Sequence, residues 1–193
     1  VSTEIRVMLV DARSTRRELV GAVLGAEGFR LVACVSPEDD LLAAVDRHSP
    51  EVVLIDIDSP SRDTLESLRS VQANNPRPMV MFTQDDAGES IRRAVEAGVS
   101  AYVVDGLANR RVRPIVEEAM ARFSQYRALE EELERTRSQL SERKLIERAK
   151  GIVMRQQGLS EEDAYKAMRG LAMRKNKRLA EIAEIVVSAA ELL

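Results

Sequence analysis

Five short apolar runs recur along the first hundred or so residues: Ile5–Val10, Leu31–Val35, Val52–Ile55, Met79–Phe82 and Ala101–Val104. They are rich in β-branched residues and almost free of charge, the pattern of strands buried on both faces of a parallel sheet. Amphipathic stretches near residues 14–27, 37–48, 62–74 and 86–97 separate them and predict helices. Helix punctuation agrees: Ser36 is placed as an N-cap with Pro37 at the first helical position, and Gly28 and Gly98 fit helix C-termini. Regular alternation of strand and helix predicts a doubly wound α/β domain, whose site lies at the carboxyl ends of the strands.

The pattern then changes. From about Arg110 to Gln157 the only glycine is Gly151 and the only proline is Pro114, near the helix start where it is tolerated. Tyr126, Leu129, Leu133, Thr136 and Leu140 recur at alternating spacings of three and four, and Ala119 and Phe123 extend the stripe backward. Charged residues fill the other faces. Such spacing predicts a coiled coil and hence a homodimer; the alternative is one long surface helix whose stripe packs back on its own chain.

Beyond Gly158 two shorter helices follow. Ser160 is placed to cap the first, with Glu161, Glu162 and Asp163 in its first turn. Ala164, Ala167, Met168, Leu171 and Ala172 supply its apolar face. Asn176 or its neighbours break the chain, and Leu179, Ile182, Ala183, Val186 and Val187 mark the last helix. Three helices here share one small core. The spacing therefore predicts three parts: an α/β domain over 1–123, a linker helix over 124–143 and a helical module over 144–193.

Composition narrows the function. Cys34 and His48 are single representatives of their types, which excludes a metal site built on Cys or His clusters and an internal disulfide. His48 near a helix end reads as a surface or capping residue, and Gly21, Gly25 and Gly28 do not follow a strand as a phosphate loop would. No apolar run reaches membrane-spanning length and the first residues lack a signal peptide's regions, so a cytoplasmic location is expected. The net charge of −3 hides an asymmetry. Residues 140–193 carry 11 basic against 8 acidic groups, and the remainder 18 against 24. All five lysines, Lys144, Lys150, Lys166, Lys175 and Lys177, lie in that basic part. A polyanion partner for the C-terminal module follows.

The predicted strand ends carry Asp11, Asp56, Thr83 and Asp105, with Asp58 two residues after Asp56. Carboxylates converging with a hydroxyl can hold a hard cation and offer a nucleophilic oxygen to a phosphoryl donor. This arrangement resembles the receiver domain of two-component response regulators, a flavodoxin-like fold. The resemblance makes Asp56 the phosphoacceptor position and Thr83 and Tyr102 the switch positions. It places Asp11, Asp58 and Asp105 around the acidic pocket, with weak Mg²⁺ binding at Asp11, Asp56 and Asp58 and no cofactor required. Two departures stand out. Ala12 replaces the second of the family's paired acids, and Asp105 replaces its lysine, with no lysine elsewhere in the first 143 residues to substitute. Arg13, Arg110 and Arg111 are nearby cations, none at the matching position. Phosphoryl transfer depends on cations that neutralise developing charge. The departures point to a protein-binding pseudo-receiver, and no complete catalytic constellation for an enzyme survives.

The module over 140–193 resembles the ANTAR domain, an RNA-binding antitermination domain. The resemblance rests on the Arg148-Ala149-Lys150-Gly151-Ile152-Val153-Met154 run, the Gly158-Leu159-Ser160-Glu161-Glu162 linker, Ala164, and the Arg174-Lys175-Asn176-Lys177-Arg178-Leu179 run. It implies binding to structured leader RNA with tandem hairpins, so that a terminator hairpin does not form. Arg148, Lys150, Arg155, Arg169, Arg174, Lys175, Lys177 and Arg178 are the expected RNA-binding residues, on one basic face. Small Ala149 and Gly151 serve helix packing as readily as RNA approach. Asp105-Gly106 after Tyr-Val-Val makes the NasT type of nitrate-assimilation antiterminator the nearest likeness, which implies a nitrate/nitrite-sensing or other ligand-sensing partner protein. Two other classes stay open: a phosphorylation-activated response regulator with a DNA-binding output, and a scaffold with no nucleic-acid contact.

Overall fold

A computed structural model describes residues 4–11, 17–104 and 112–191, leaving aside the side chains of 17–19 and 23. Ala12, Arg13, Asp105, Arg110 and Arg111 therefore lie outside the described residues. The chain divides into two compact units, Val1–Arg127 and Ala128–Leu193.

In the first unit, strands β1 (Ile5–Asp11), β2 (Phe29–Val35), β3 (Val52–Asp56), β4 (Met79–Thr83) and β5 (Ala101–Val104) alternate with helices α1 (Arg17–Ala26), α2 (Leu41–His48), α3 (Arg62–Asn74) and α4 (Gly88–Glu96). The strands form one parallel sheet in the order β2-β1-β3-β4-β5. Side chains alternate across each strand and so build two cores. Met8, Val10, Val53, Ile55, Met79 and Met81 pack with Leu41 and Val45 of α2 and Leu65, Leu68 and Val71 of α3. Val7, Leu9, Val52, Leu54, Val80 and Phe82 face the other way, onto Val20 and Leu24 of α1 and onto Val112, Val116 and Ala119. These last three begin α5 (Val112–Gln157), which continues into the second unit. Burial on both faces is why the strands read as continuous apolar runs.

One boundary differs from expectation. Helix α2 starts at Leu41, not Pro37, because the Asp40 side chain accepts the Ala43 N–H at 2.9 Å and takes the capping role. Ser36 instead donates its N–H to Asp39 Oδ2 at 2.8 Å and belongs to a preceding turn. Gly28 and Gly98 do adopt left-handed backbone, with φ of 82° and 92°. At Gly98 an added Cβ would stand 2.7 Å from Cγ of Gln72, a side chain on α3. Gly98→Ala combines that overlap with a φ that disfavours any side chain, and is expected to lower stability by roughly 1–3 kcal/mol in urea unfolding. An unchanged midpoint would contradict it.

In the second unit α5 meets α6 (Glu161–Lys175) and α7 (Leu179–Glu191). Ala149, Ile152 and Val153 pack against Ala164, Met168 and Ala172 and against Ile182, Ala183 and Val187. Ser160 caps α6 by accepting the Asp163 N–H at 3.1 Å, while Gly158 and Asn176 supply the positive φ needed to turn the chain. Ala167, expected on the apolar face, is exposed. Among the described residues no helix is long and apolar enough to cross a membrane.

Candidate functional site

The sheet brings the predicted carboxylates to one end of the first unit. Asp11 and Asp56 are register partners at the ends of the adjacent strands β1 and β3, and both side chains are buried. Asp58 lies just past the strand and is exposed. Its backbone carbonyl accepts hydrogen bonds from Thr83 Oγ1 at 2.7 Å and from the Gln84 N–H at 3.2 Å. No group of three carboxylates, histidines or cysteines that could hold a metal ion forms among the described residues. Weak Mg²⁺ binding at Asp11, Asp56 and Asp58 stays an expectation, with Asp11 and Asp56 brought together by strand register. Asp105 lies outside the described residues.

Beside these residues sits a cluster that sequence reasoning missed. Asp85, in the loop after β4, accepts hydrogen bonds from Ser59 Oγ and Ser90 Oγ, each at 2.8 Å, and from the Ala87 N–H at 3.0 Å. Those bonds, the Ser90 one foremost, hold its carboxyl below the usual carboxylate range. Thr83 Oγ1 accepts the Asp85 N–H at 3.1 Å, and Tyr102 donates its hydroxyl to the Asp85 carbonyl at 2.7 Å. Burial first, and then the charge of Asp85, push the Tyr102 phenol above its ordinary value. Thr83 and Tyr102, the expected switch positions, are thus both tied to the loop between β4 and α4. The signal lay in the Thr83-Gln84-Asp85-Asp86 run, at a strand end where doubly wound domains carry their sites.

In the second unit the eight expected RNA-binding cations fall into two groups. Arg148 bonds Glu191 at 2.9 Å, Arg178 approaches Glu142 at 3.4 Å, and Lys177 stands 4.0 Å from Glu181. Lys150 is the most constrained. Its Nζ lies 2.6 Å from Glu147 Oε2 and 2.7 Å from Glu161 Oε1, with only 9 % of the residue exposed. Arg155, Arg169, Arg174 and Lys175 are exposed, and none makes an ion pair with another described residue. Four of the eight expected cations are thus paired within the chain and four have no ion pair with a described residue. The free cations centre on the second half of α6, where a simple signal exists: between Asp163 and Glu181 there are six cations and no acid.

Lys150 therefore ties α5 to α6 within the unit rather than reaching outward. Hydrogen bonds from the ammonium to Glu147 and then Glu161 raise the Lys150 pKa above its ordinary value, and Lys150 holds the Glu161 carboxyl below the usual carboxylate range. A raised lysine contributes stability that is complete below its unfolded value and is lost as pH rises through its folded value. A lowered carboxyl contributes above its unfolded value, and that is lost as pH falls through the folded one. Lys150→Ala is accordingly expected to lower the melting temperature near neutral pH, with the difference from wild type shrinking at both extremes. Circular dichroism melts measure this, and an equal difference at every pH would refute it.

Comparison with known proteins agrees with both units. Residues 7–117 match the response regulator receiver domain and residues 134–187 match the ANTAR domain. The chain belongs to the response regulators with a receiver domain, and its C-terminal part is an ANTAR domain. It is 29% identical over 182 residues to the transcriptional regulatory protein PdtaR of Mycobacterium tuberculosis, covering 94% of this chain and 89% of that protein. It is 38% identical over 80 residues to the nitrate regulatory protein of Klebsiella oxytoca, covering 42% of this chain and 19% of that one. A CheY-like receiver domain from Methanospirillum hungatei superposes with a TM-score of 0.54 at 20% identity, over 63% of this chain and 98% of its own. At that identity the likeness concerns the fold alone.

Proposed function

We propose that this regulator is an RNA-binding transcription antiterminator, whose ANTAR domain binds paired leader-RNA hairpins and prevents a terminator hairpin from forming. The observation that carries this reading is the acid-free basic stretch from Ala164 to Ala180, with Arg169, Arg174 and Lys175 exposed and not neutralised by a neighbouring carboxylate. Phosphates neutralise such groups by releasing their own counterions, which makes binding steeply salt-dependent. A gel shift tests it with leader RNA carrying two tandem hairpins against a scrambled RNA of equal length. Preference for the hairpins supports the reading, and equal affinity removes it.

Control is assigned to a ligand-sensing protein, of the nitrate/nitrite-sensing kind, that grips the receiver unit in the cytoplasm. Phosphate is the less favoured signal for a physical reason. Asp56 is buried beside Asp11, and no lysine exists in the first 143 residues to balance an added dianion. Incubation with a small phosphodonor and Mg²⁺ is expected to leave the intact mass unchanged. A stable gain of about 80 Da, one phosphoryl group, at Asp56 would restore phosphorylation as the switch. Dimerisation is assigned to the α5 stripe, where Leu129, Leu133 and Leu140 are about half exposed or more in the single chain. A stripe packed back on its own chain would be buried.

A further inference from the structure

We propose that the outward side of α6 is a stacking ladder for unpaired bases of an RNA loop, with Tyr165, Arg169 and Met173 as its rungs. The proposal rests on the RNA-binding reading and goes further by naming the face and the part of the RNA it takes. Helix α6 buries Ala164, Met168 and Ala172 in the core of its unit. The opposite side of such a surface helix is ordinarily polar. Here it carries Met173 at 75 % exposure, the highest of the exposed large hydrophobic residues among those described, and Tyr165 at 41 %. Packing within the unit explains neither, since both point away from the core that the helix completes.

Their spacing is the second observation. Tyr165, Arg169 and Met173 are four residues apart, so each lies one turn further along the helix and only about 40° around it. Successive rungs rise by roughly 6 Å, close to the roughly 7 Å between two surfaces that sandwich one flat base. Each rung has a surface suited to that role. The phenol ring and the planar guanidinium stack on bases, and the thioether of methionine is soft and polarizable. Such stacking is tolerant of sequence because every base has a π-face.

Charge selects the occupant. The strip lies within the segment of six cations and no acids between Asp163 and Glu181. On the strip's own side Lys166 pairs with Glu162 at 2.6 Å, whereas Arg169 has no ion pair with a described residue. An apolar strip set among unbalanced cations fits a polyanion that also presents flat apolar surface. A single-stranded RNA loop has both properties, with phosphates for Arg174 and Lys175 and splayed bases for the rungs.

The test uses the full chain and two leader RNAs with identical tandem stems, one with intact loops and one with abasic loop positions, titrated by fluorescence anisotropy. Tyr165→Ala is expected to weaken binding of the intact-loop RNA about tenfold. It should leave the abasic-loop RNA unaffected, and Tyr165→Phe should bind like wild type. Met173→Ala should show the same loop-dependent loss. Arg174→Ala should weaken both RNAs alike and flatten the salt dependence. Tyr165 is exposed, so an unchanged circular dichroism melt accompanies each expected result. If wild type prefers the tandem hairpins but Tyr165→Ala binds both RNAs as wild type does, or loses equally on both, the ladder is overturned while RNA binding stands. If wild type shows no preference for the hairpins over scrambled RNA, the reading beneath it fails as well.

Discussion

Arg174→Glu combined with Lys175→Glu is expected to weaken binding of tandem-hairpin RNA by at least about 100-fold at moderate salt. The double reversal removes two exposed cations at the end of α6 and substitutes two anions. Each lost phosphate contact also removes close to one unit from the slope of log affinity against log salt, so the slope should fall by roughly two per subunit. Neither side chain has an ion pair with a described residue, so folding should be little affected. The one foreseeable loss is the favourable interaction of two cations with the C-terminal end of the helix dipole, about 0.3–1 kcal/mol each at exposed positions. The matched reversal of Arg148, which is bonded to Glu191, provides the comparison. It should weaken binding far less, because that guanidinium is already neutralised. Equal losses for the two variants would mean that local pairing does not sort the cations, and that overall charge alone governs affinity.

Leu133→Asp is expected to convert the protein from a dimer to a monomer, read by light scattering, and to lower affinity for tandem hairpins by 100-fold or more through lost avidity. Leu133 lies mid-stripe and is 49 % exposed, so a carboxylate there is harmless to a single chain and unfavourable only against a second copy. In a parallel pairing Tyr126, Leu133 and Leu140 take one seam position and Leu129 and Thr136 the other. That register sets Glu132 of each copy opposite Arg137 of the other, an attractive flanking pair. Affinity for a single hairpin should remain near that of wild type. A variant that stays dimeric would exclude the α5 stripe as the interface. A monomeric variant with unchanged tandem affinity would show that each hairpin is bound independently.

Most of the fold was legible in the sequence, for an identifiable reason. Parallel strands buried on both faces must be apolar throughout, so all five appeared as runs whose bounds shift by no more than two residues in the structure. Caps were less legible where several candidates crowd together. Ser36, Asp39 and Asp40 can each accept an N–H, and the geometry of the turn gave the capping role to Asp40. At Ser160 the single hydroxyl before an acidic first turn left no such competition. The candidate sites divide similarly. That Asp11 and Asp56 meet follows from parallel register alone. That Asp85 gathers Ser59, Ser90 and Ala87 requires the loop after β4 to fold over the end of β3, a long-range event with no periodic signature.

By itself the sequence determined the order of elements, the two families to which the parts belong, and the charge contrast between an acidic receiver and a basic output. These follow from side-chain periodicity and composition, which are local or additive properties. Only the tertiary structure decided which charges are available. Lys150 and Arg174 are the same sign in neighbouring helices, and the sequence treats them alike. In the folded unit Lys150 closes between Glu147 and Glu161 at the junction of α5 and α6, while Arg174 stays exposed with no carboxylate beside it. The reason is that ion pairing depends on separations of a few ångströms between groups on different elements, and packing alone sets those separations.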